Sequence, residues 1–356
     1  MDENTLTMTP GPTAVPEDVR QAMAQPAMNP DVNPEFESYY ETVLDKLARV
    51  YGTDDEMVVL GGEGILGLET AVDSLVAPGD DVLCLANGVY GDGFADFVEM
   101  AGGNPVVHEA DYRDAFDPDE VAARVESGDF AAATMVHCET PTGLLNEFDE
   151  ILATLQEAGV LTIVDAVSSL GGTEVPVGNI DACLGASQKC FSSPPGLTTM
   201  SVSDAAWKKV DETEQNGFYT SLEPWRDADY SFLPYTHLVS NLYSLEASLD
   251  RILDEGRESV FERHETAAER CRERGEELEL EPFPGTESLC SPTVTAFEIE
   301  GRAEETQARL YEDHDVLVAT GLGEMASDLL RVGHMGYGAD LEAVEKTMDA
   351  LEAVLD

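Results

Sequence analysis

Short apolar runs alternate with amphipathic helical stretches along the first half of this chain, and few folds can be built from that rhythm. Residues 57–60, 81–85, 105–108, 131–137 and 161–165 read as strands, with helical stretches between them at 64–74, 91–101, 118–125 and 148–158. A strand that is apolar at nearly every position is buried on both faces, and the intervening helices supply the cover. The pattern predicts an α/β fold around a mostly parallel sheet. Two further strands follow at 182–186 and 197–202.

Beyond residue 241 the texture changes. Leu242, Leu245, Leu249 and Leu253 recur at helical spacing, and a charged helical stretch runs through 262–279. A strand at 293–297, a helix near 304–311, strands around 316–318 and 330–332, and a last helix from Asp340 predict a small α+β unit. We therefore expect an irregular, proline-rich N-terminal arm over residues 1–16, a large domain over 17–245 and a small C-terminal domain over 246–356. With 356 residues, 43% of them apolar, the chain can fill two cores.

Charge narrows the partners. The chain carries 72 acidic against 19 basic residues, a formal net charge of -53, and its lysines are Lys46, Lys189, Lys208, Lys209 and Lys346 alone. Such a surface repels phosphate backbones, which argues against nucleic acid. Its self-repulsion is screened within about 3 Å at molar salt, so a salt-rich cytoplasm is the expected setting. No apolar run reaches the roughly 20 residues that span a bilayer, so no membrane partner is expected. The six cysteines form no C-x-x-C pair and no zinc-like cluster, and read as reduced, mostly buried thiols; no metal is expected.

In an open α/β sheet, ligands collect beyond the carboxyl ends of the strands, so polar residues that close apolar runs are the candidates. The run 161–164 closes on Asp165, which suits either an ordinary helix-capping turn or a protonated pyridine nitrogen. Strand 182–186 leads into Ser187-Gln188-Lys189-Cys190. Lysine forms imines with carbonyls, and desolvation or a nearby cation makes its amine nucleophilic; the other reading is a solvated lysine at a strand end. Leu60-Gly61-Gly62-Glu63-Gly64-Ile65 joins a strand to a helix, either leaving helix-start amides for an anion or making a plain turn. His137-Cys138-Glu139-Thr140-Pro141-Thr142-Gly143 brings hydroxyls and a carboxylate to the same edge, and His137 and Cys138, as strand neighbours, face opposite ways and read as structural. Tyr90 suits stacking on a planar ring or packing on its own helix.

The order and spacing of these segments resembles the class V aminotransferases of fold type I, and within them the alanine–glyoxylate and serine–pyruvate aminotransferase group. The resemblance runs from Thr9-Pro10-Gly11-Pro12 through the glycine loop, Glu139-Thr140-Pro141-Thr142-Gly143, Val164-Asp165-Ala166-Val167-Ser168-Ser169 and Ser187-Gln188-Lys189 to Leu330-Arg331-Val332-Gly333-His334-Met335-Gly336. It implies a mostly parallel seven-stranded sheet sandwiched by helices, pyridoxal 5'-phosphate as cofactor, and a homodimer with shared active sites. It also implies roles by position. Lys189 would link to the cofactor aldehyde and carry the proton at the substrate's α carbon. Asp165 would hold the ring nitrogen, Tyr90 would stack on the ring and Thr140 would meet the ring hydroxyl. Gly64, Ile65 and Gln188 would bind the phosphate, while Tyr235 and Thr236 would reach the phosphate of the other subunit. Gly11 and Arg331 fall on the substrate side, Arg331 as a carboxylate fork or, in so acidic a chain, as half of a structural salt bridge.

The implied reaction moves an amino group from alanine or serine to glyoxylate or pyruvate. The alternatives are a 2-aminoethylphosphonate–pyruvate transaminase, which needs a cationic phosphonate site where arginines are few, and a lyase or cysteine desulfurase, which needs a cysteine in a mobile loop. A regulator without turnover fits poorly with a complete Lys189, Asp165 and Arg331 set. This sequence departs from the family where hydroxyl residues are common: Glu63 and Ile65 stand there instead. A carboxylate facing a phosphate is repelled, so Glu63 should turn away or make a bond of its own. A proline pair after Tyr235-Thr236 is replaced by His237-Leu238.

Overall fold

Six strands run one way and a single strand runs against them in the sheet at the centre of the molecule. The computed structural model describes residues 5–355 except 216, 227, 231 and 232, so the first four positions of the expected N-terminal arm lie outside the described residues. In chain order, β1 (Leu6–Thr7), α1 (Glu17–Met23) and α2 (Phe36–Tyr51) come first. β2 (Glu56–Gly61), α3 (Gly64–Leu75), β3 (Asp81–Ala86), α4 (Val89–Met100), β4 (Asn104–Glu109), α5 (Pro118–Glu126) and β5 (Ala132–Val136) follow. A small hairpin of β6 (Cys138–Glu139) and β7 (Leu144–Leu145) precedes α6 (Asp149–Ala158), β8 (Leu161–Asp165), β9 (Ala182–Ala186), β10 (Leu197–Val202) and α7 (Asp204–Glu212). The remainder is α8 (Val239–Glu255), α9 (Arg257–Glu277), β11 (Thr295–Glu298), α10 (Ala303–His314), β12 (Val316–Leu317), β13 (Ala319–Thr320), β14 (Leu329–Val332) and α11 (Leu341–Leu355).

The sheet order is β2-β10-β9-β8-β5-β3-β4, with β10 antiparallel to both neighbours and every other pairing parallel. This is the seven-stranded, mostly parallel sheet expected. β5, β9 and β10 are buried at every residue, which is why their sequences show no polar alternation. Edge strand β4 is half open and tolerates Pro105, which no central strand could without losing a ladder hydrogen bond. On α2, Phe36, Tyr40, Val43, Leu47 and Val50 recur at helical spacing and are buried, each large side chain contributing about 1.5–3 kcal/mol. Gly52, at φ 72°, ends that helix in the left-handed conformation that favours glycine.

Two apolar cores result. The first collects buried residues from Ala22 to Val260 and includes Leu242, Leu245 and Leu249 of α8, the helix in which residue 245 lies. The second collects residues from Ala267 to Val354 beneath the antiparallel sheet β11-β14-β13, together with Met8. Met8 arrives there because β1 pairs in parallel with β12, Leu6 opposite Val316. The start of the chain is thus ordered where the sequence reads as irregular, and strand 316–318 pairs with that start instead of joining the small sheet. All six cysteines are unpaired, and Cys290 alone among them is not fully buried. Among the described residues no helix is long and apolar enough to cross a membrane.

Candidate active site

A cavity of about 260 Å³ opens at the carboxyl edge of the sheet, where β2, β3, β8 and β9 give way to loops. Every predicted site residue lines it except Tyr235, Thr236 and Arg331.

Lys189 lies three residues past the end of β9. Its Nζ donates to the Pro10 carbonyl at 2.6 Å, and no carboxylate among the described residues lies within ion-pair distance of it. Burial depresses its pKa first and the positive Arg331 guanidinium adds to this, while Asp165 opposes both. Gly11 backs onto the lysine at φ 105°, and a Cβ there would stand 2.7 Å from Nζ, so only glycine lets the arm approach. Asp165 closes β8 and is buried. Its Oδ1 accepts the Val167 amide at 2.8 Å, and burial pushes its carboxyl up to about 6 against the pull of that amide and of Lys189.

Tyr90 sits in the first turn of α4. Its amide and that of Gly91 donate to Oε2 and Oε1 of Glu139 at 3.3 and 2.7 Å. Glu139 is wholly buried, and burial raises it to about 8. Thr140, the next residue, shares a hydrogen bond between its hydroxyl and that of Ser168. Sequence reasoning reached Glu139 only as one polar group at the sheet edge. The available signal was Gly88, a helix start with no side chain to cap it.

At the far end of the cavity Glu63 is the N-cap of α3, its Oε1 accepting from the Ile65 amide at 3.2 Å. Gln188 Nε2 donates to its Oε2 at 3.4 Å, and the buried Gln188 Oε1 has no hydrogen-bond partner among the described residues. Glu63 therefore makes a bond of its own, as expected, but it remains part of the cavity wall.

Arg331, on β14, is buried beside the cavity. Its Nε donates to the Thr320 carbonyl at 2.6 Å and its Nη1 to the Thr140 carbonyl at 3.3 Å. It forms no salt bridge among the described residues, so the structural ion pair weighed from the sequence is not what holds it. Tyr235 points its hydroxyl at the Gly61 amide of its own chain, 2.9 Å away, and stacks on Tyr219. Thr236 lines a separate hollow with Met28 and Asn29. His137 is buried against Ser169 Oγ at 2.8 Å, and Cys138 lies against Ser291; burial raises the Cys138 and Cys190 thiols to about 11 and 12, unsuited to nucleophilic attack.

Pyridoxal phosphate presents an aldehyde, a ring nitrogen, a ring hydroxyl and an anion. Lys189, Asp165 and Thr140 supply chemistry for the first three, so the site fits the ring; toward the anion it offers the start of α3 at Gly64, with the acceptors Glu63 and Gln188 Oε1 beside it. A larger cavity of about 490 Å³ lies where the arm meets α8 and α9, but its cations are already engaged, Arg263 with Glu255 and Lys346 with Glu342.

Residues 8–335 match the class-V aminotransferase family. The pyridoxamine–pyruvate transaminase of Mesorhizobium japonicum is 34% identical over 93% of this chain and 86% of its own length. A crystal structure of pyridoxamine–pyruvate aminotransferase from Mesorhizobium loti superposes with a TM-score of 0.94 at 32% identity, covering 98% of this chain and 91% of that one. An alanine–glyoxylate aminotransferase from Nostoc sp. gives the same TM-score at 26% identity, covering 99% and 95%. The chain belongs to the class-V aminotransferases, enzymes of fold type I that depend on pyridoxal phosphate.

Proposed function

We propose that this enzyme transfers the amino group of a small amino acid, alanine or serine, to pyruvate or glyoxylate. One observation carries the reading: two buried basic side chains, Lys189 and Arg331, flank the cavity with their donors engaged only by backbone carbonyls, which leaves the amine open to a carbonyl carbon and the guanidinium open to a carboxylate. Bound pyridoxal phosphate supplies an aldehyde for the amino group and a ring that draws electrons from the α carbon. Asp165 would hold the ring nitrogen's proton, Tyr90 would lie against the ring, Thr140 would meet its hydroxyl, and Gly64, Ile65 and Gln188 would face the phosphate. Lys189, whose pKa is lowered by burial and by Arg331, would hold the ring through its aldehyde and, once the substrate amine had displaced it, would be free to move the proton at the α carbon. Arg331 grips the substrate carboxylate through a planar fork that lysine could not reproduce. We take the active species to be a homodimer in a salt-rich cytoplasm, with the exposed Thr236 reaching the second subunit while Tyr235 stays on Gly61 of its own chain.

A second reading is favoured by Glu63, whose carboxylate already takes the Ile65 amide at the anion end. With the unfilled Gln188 Oε1 beside it, that end presents acceptors where a phosphate needs donors, and an uncharged hydroxymethyl group would satisfy them. The amine donor is then pyridoxamine itself, as the name of the Mesorhizobium relative states for that protein.

One experiment in molar KCl separates the two. Alanine, serine and pyridoxamine are each supplied to the protein with pyruvate or glyoxylate, and the visible absorbance of the lysine-bound ring is followed. The first reading expects alanine or serine to bleach the pyridoxal-phosphate-loaded protein. The second expects turnover of pyridoxamine with pyruvate, and tighter binding of the phosphate ester in Glu63→Ser. Loss of the band in Lys189→Ala is common to both, and a sedimentation mass of one chain would remove the dimer. A protein that stays colourless with either ring would sink both readings.

A further inference from the structure

Helix α4 begins without a cap of its own. Gly88 occupies the N-cap position and offers no side chain, although a serine or aspartate there is the usual way to satisfy the first free amides. The acceptors come instead from Glu139, 48 and 49 residues further along the chain, through the 2.7 Å and 3.3 Å bonds to Gly91 and Tyr90. Burying a carboxylate to do this is costly, because its desolvation must be met by those two N–H groups alone. The glycine is a consequence of the arrangement: a Cβ at position 88 would lie 2.5 Å from Glu139 Oε2.

A local cap would satisfy the helix without fixing where the helix sits. Glu139 fixes it to a second wall of the cavity. Its own carbonyl accepts the Thr142 and Gly143 amides at 3.2 and 2.8 Å, forming the turn that carries Thr140. The Thr140 carbonyl in turn accepts Arg331 Nη1. One residue thus ties together the helix start bearing Tyr90 and the turn bearing Thr140. We propose that Glu139 is a positioning residue that sets Tyr90 against the ring, acting through the first turn of α4 and touching neither ring nor substrate. The inference rests on the transaminase reading of this cavity.

The test is a double-mutant cycle on the holoenzyme, with each variant checked for a single cooperative thermal transition and native far-ultraviolet circular dichroism. Glu139→Ala should lower kcat about tenfold while KM for the amino acid moves less than about twofold, the pattern of an interaction that acts after binding. Glu139→Gln, which keeps one acceptor oxygen, should recover most of the loss. In a Tyr90→Ala background, Glu139→Ala should change kcat less than about twofold, because the residue it positions is gone. The visible circular dichroism of the bound ring should fall in Glu139→Ala and be insensitive to it once Tyr90 is alanine. Additive losses in the cycle, or a glutamine variant no better than alanine, would overturn the proposal. If Glu139→Ala does not fold, Glu139→Asp, whose shorter side chain draws the acceptors away from the helix start, carries the cycle. A wild type that turns over no amine sinks the transaminase reading instead, and the dichroism then decides the positioning role.

Discussion

Two of the places where this molecule holds arginine or lysine under cover treat the charge in opposite ways. Along the face shared by α9 and α11, Arg274 is 12% exposed and meets Glu277, Glu345, Asp349 and Glu352 at 3.0–3.2 Å. Arg270 lies beside it, bonded to the same Glu345. At the sheet edge, Lys189 meets the Pro10 carbonyl, and Arg331 the carbonyls of Thr320 and Thr140. In a chain with 72 acids, keeping carboxylates off two cations takes construction. Neutral carbonyls satisfy the N–H donors and leave the positive charge uncancelled, so the charge is spent only when a ligand carboxylate arrives.

The largest test of the contrast is Arg331→Ala. It should raise KM for carboxylate substrates by about 2 kcal/mol or more, the range seen when one member of a buried charge pair is truncated, or roughly thirtyfold. Amines without a carboxylate should be unaffected; steady-state kinetics with an unchanged KM would remove Arg331 from the site.

A pH series sharpens the comparison. Glu139 is raised to about 8 by burial, so the folded state binds its proton more tightly than the unfolded chain does. The free carboxyl near 4.5 ionises first in the unfolded chain, and stability is lost as pH rises from there through about 8. Glu345 is shifted the other way, lowered by the Arg270 hydrogen bond, so its stabilisation is present above the unfolded value and lost as pH falls through the folded one. Thermal unfolding of Glu139→Gln should therefore gain on wild type between pH 5 and 8, by at least about 1.4 kcal/mol, the equivalent of one pKa unit. Glu345→Gln should fall behind at neutral pH and converge with wild type in acid. Parallel behaviour of the two variants would break the contrast.

The smallest effect belongs to Arg274→Ala. Its partners are 37–66% exposed, so it should lower stability by about 1 kcal/mol or less in dilute buffer. Molar salt should shrink even that, with kcat/KM unchanged. A loss of activity here would show that the α9–α11 network reaches the cavity.

What the sequence discloses follows from how local its cause is. β8 ends on Asp165 and the apolar β9 runs straight into Ser187-Gln188-Lys189, so both residues are legible as polar groups where buried strands end. The start and end of α3 and α5 are equally legible, since caps and periodicity act within a few residues. The Glu139 cap and the β1–β12 pairing are not, because each joins segments far apart in the chain through only one or two residues a side. Nor does the sequence say what holds Arg331: acids abound in it, yet the partners are carbonyls, which leave no trace in residue type.

The N-terminal arm is a short tether between the second core and the lysine. Met8 is seated in the second core, its amide on the Leu317 carbonyl and its own carbonyl on the Gly333 amide. Two residues on, the Pro10 carbonyl holds Lys189 Nζ. Between these anchorages there is almost no slack. Any displacement of the second core relative to the sheet would therefore be felt at the carbonyl that occupies the lysine's amine.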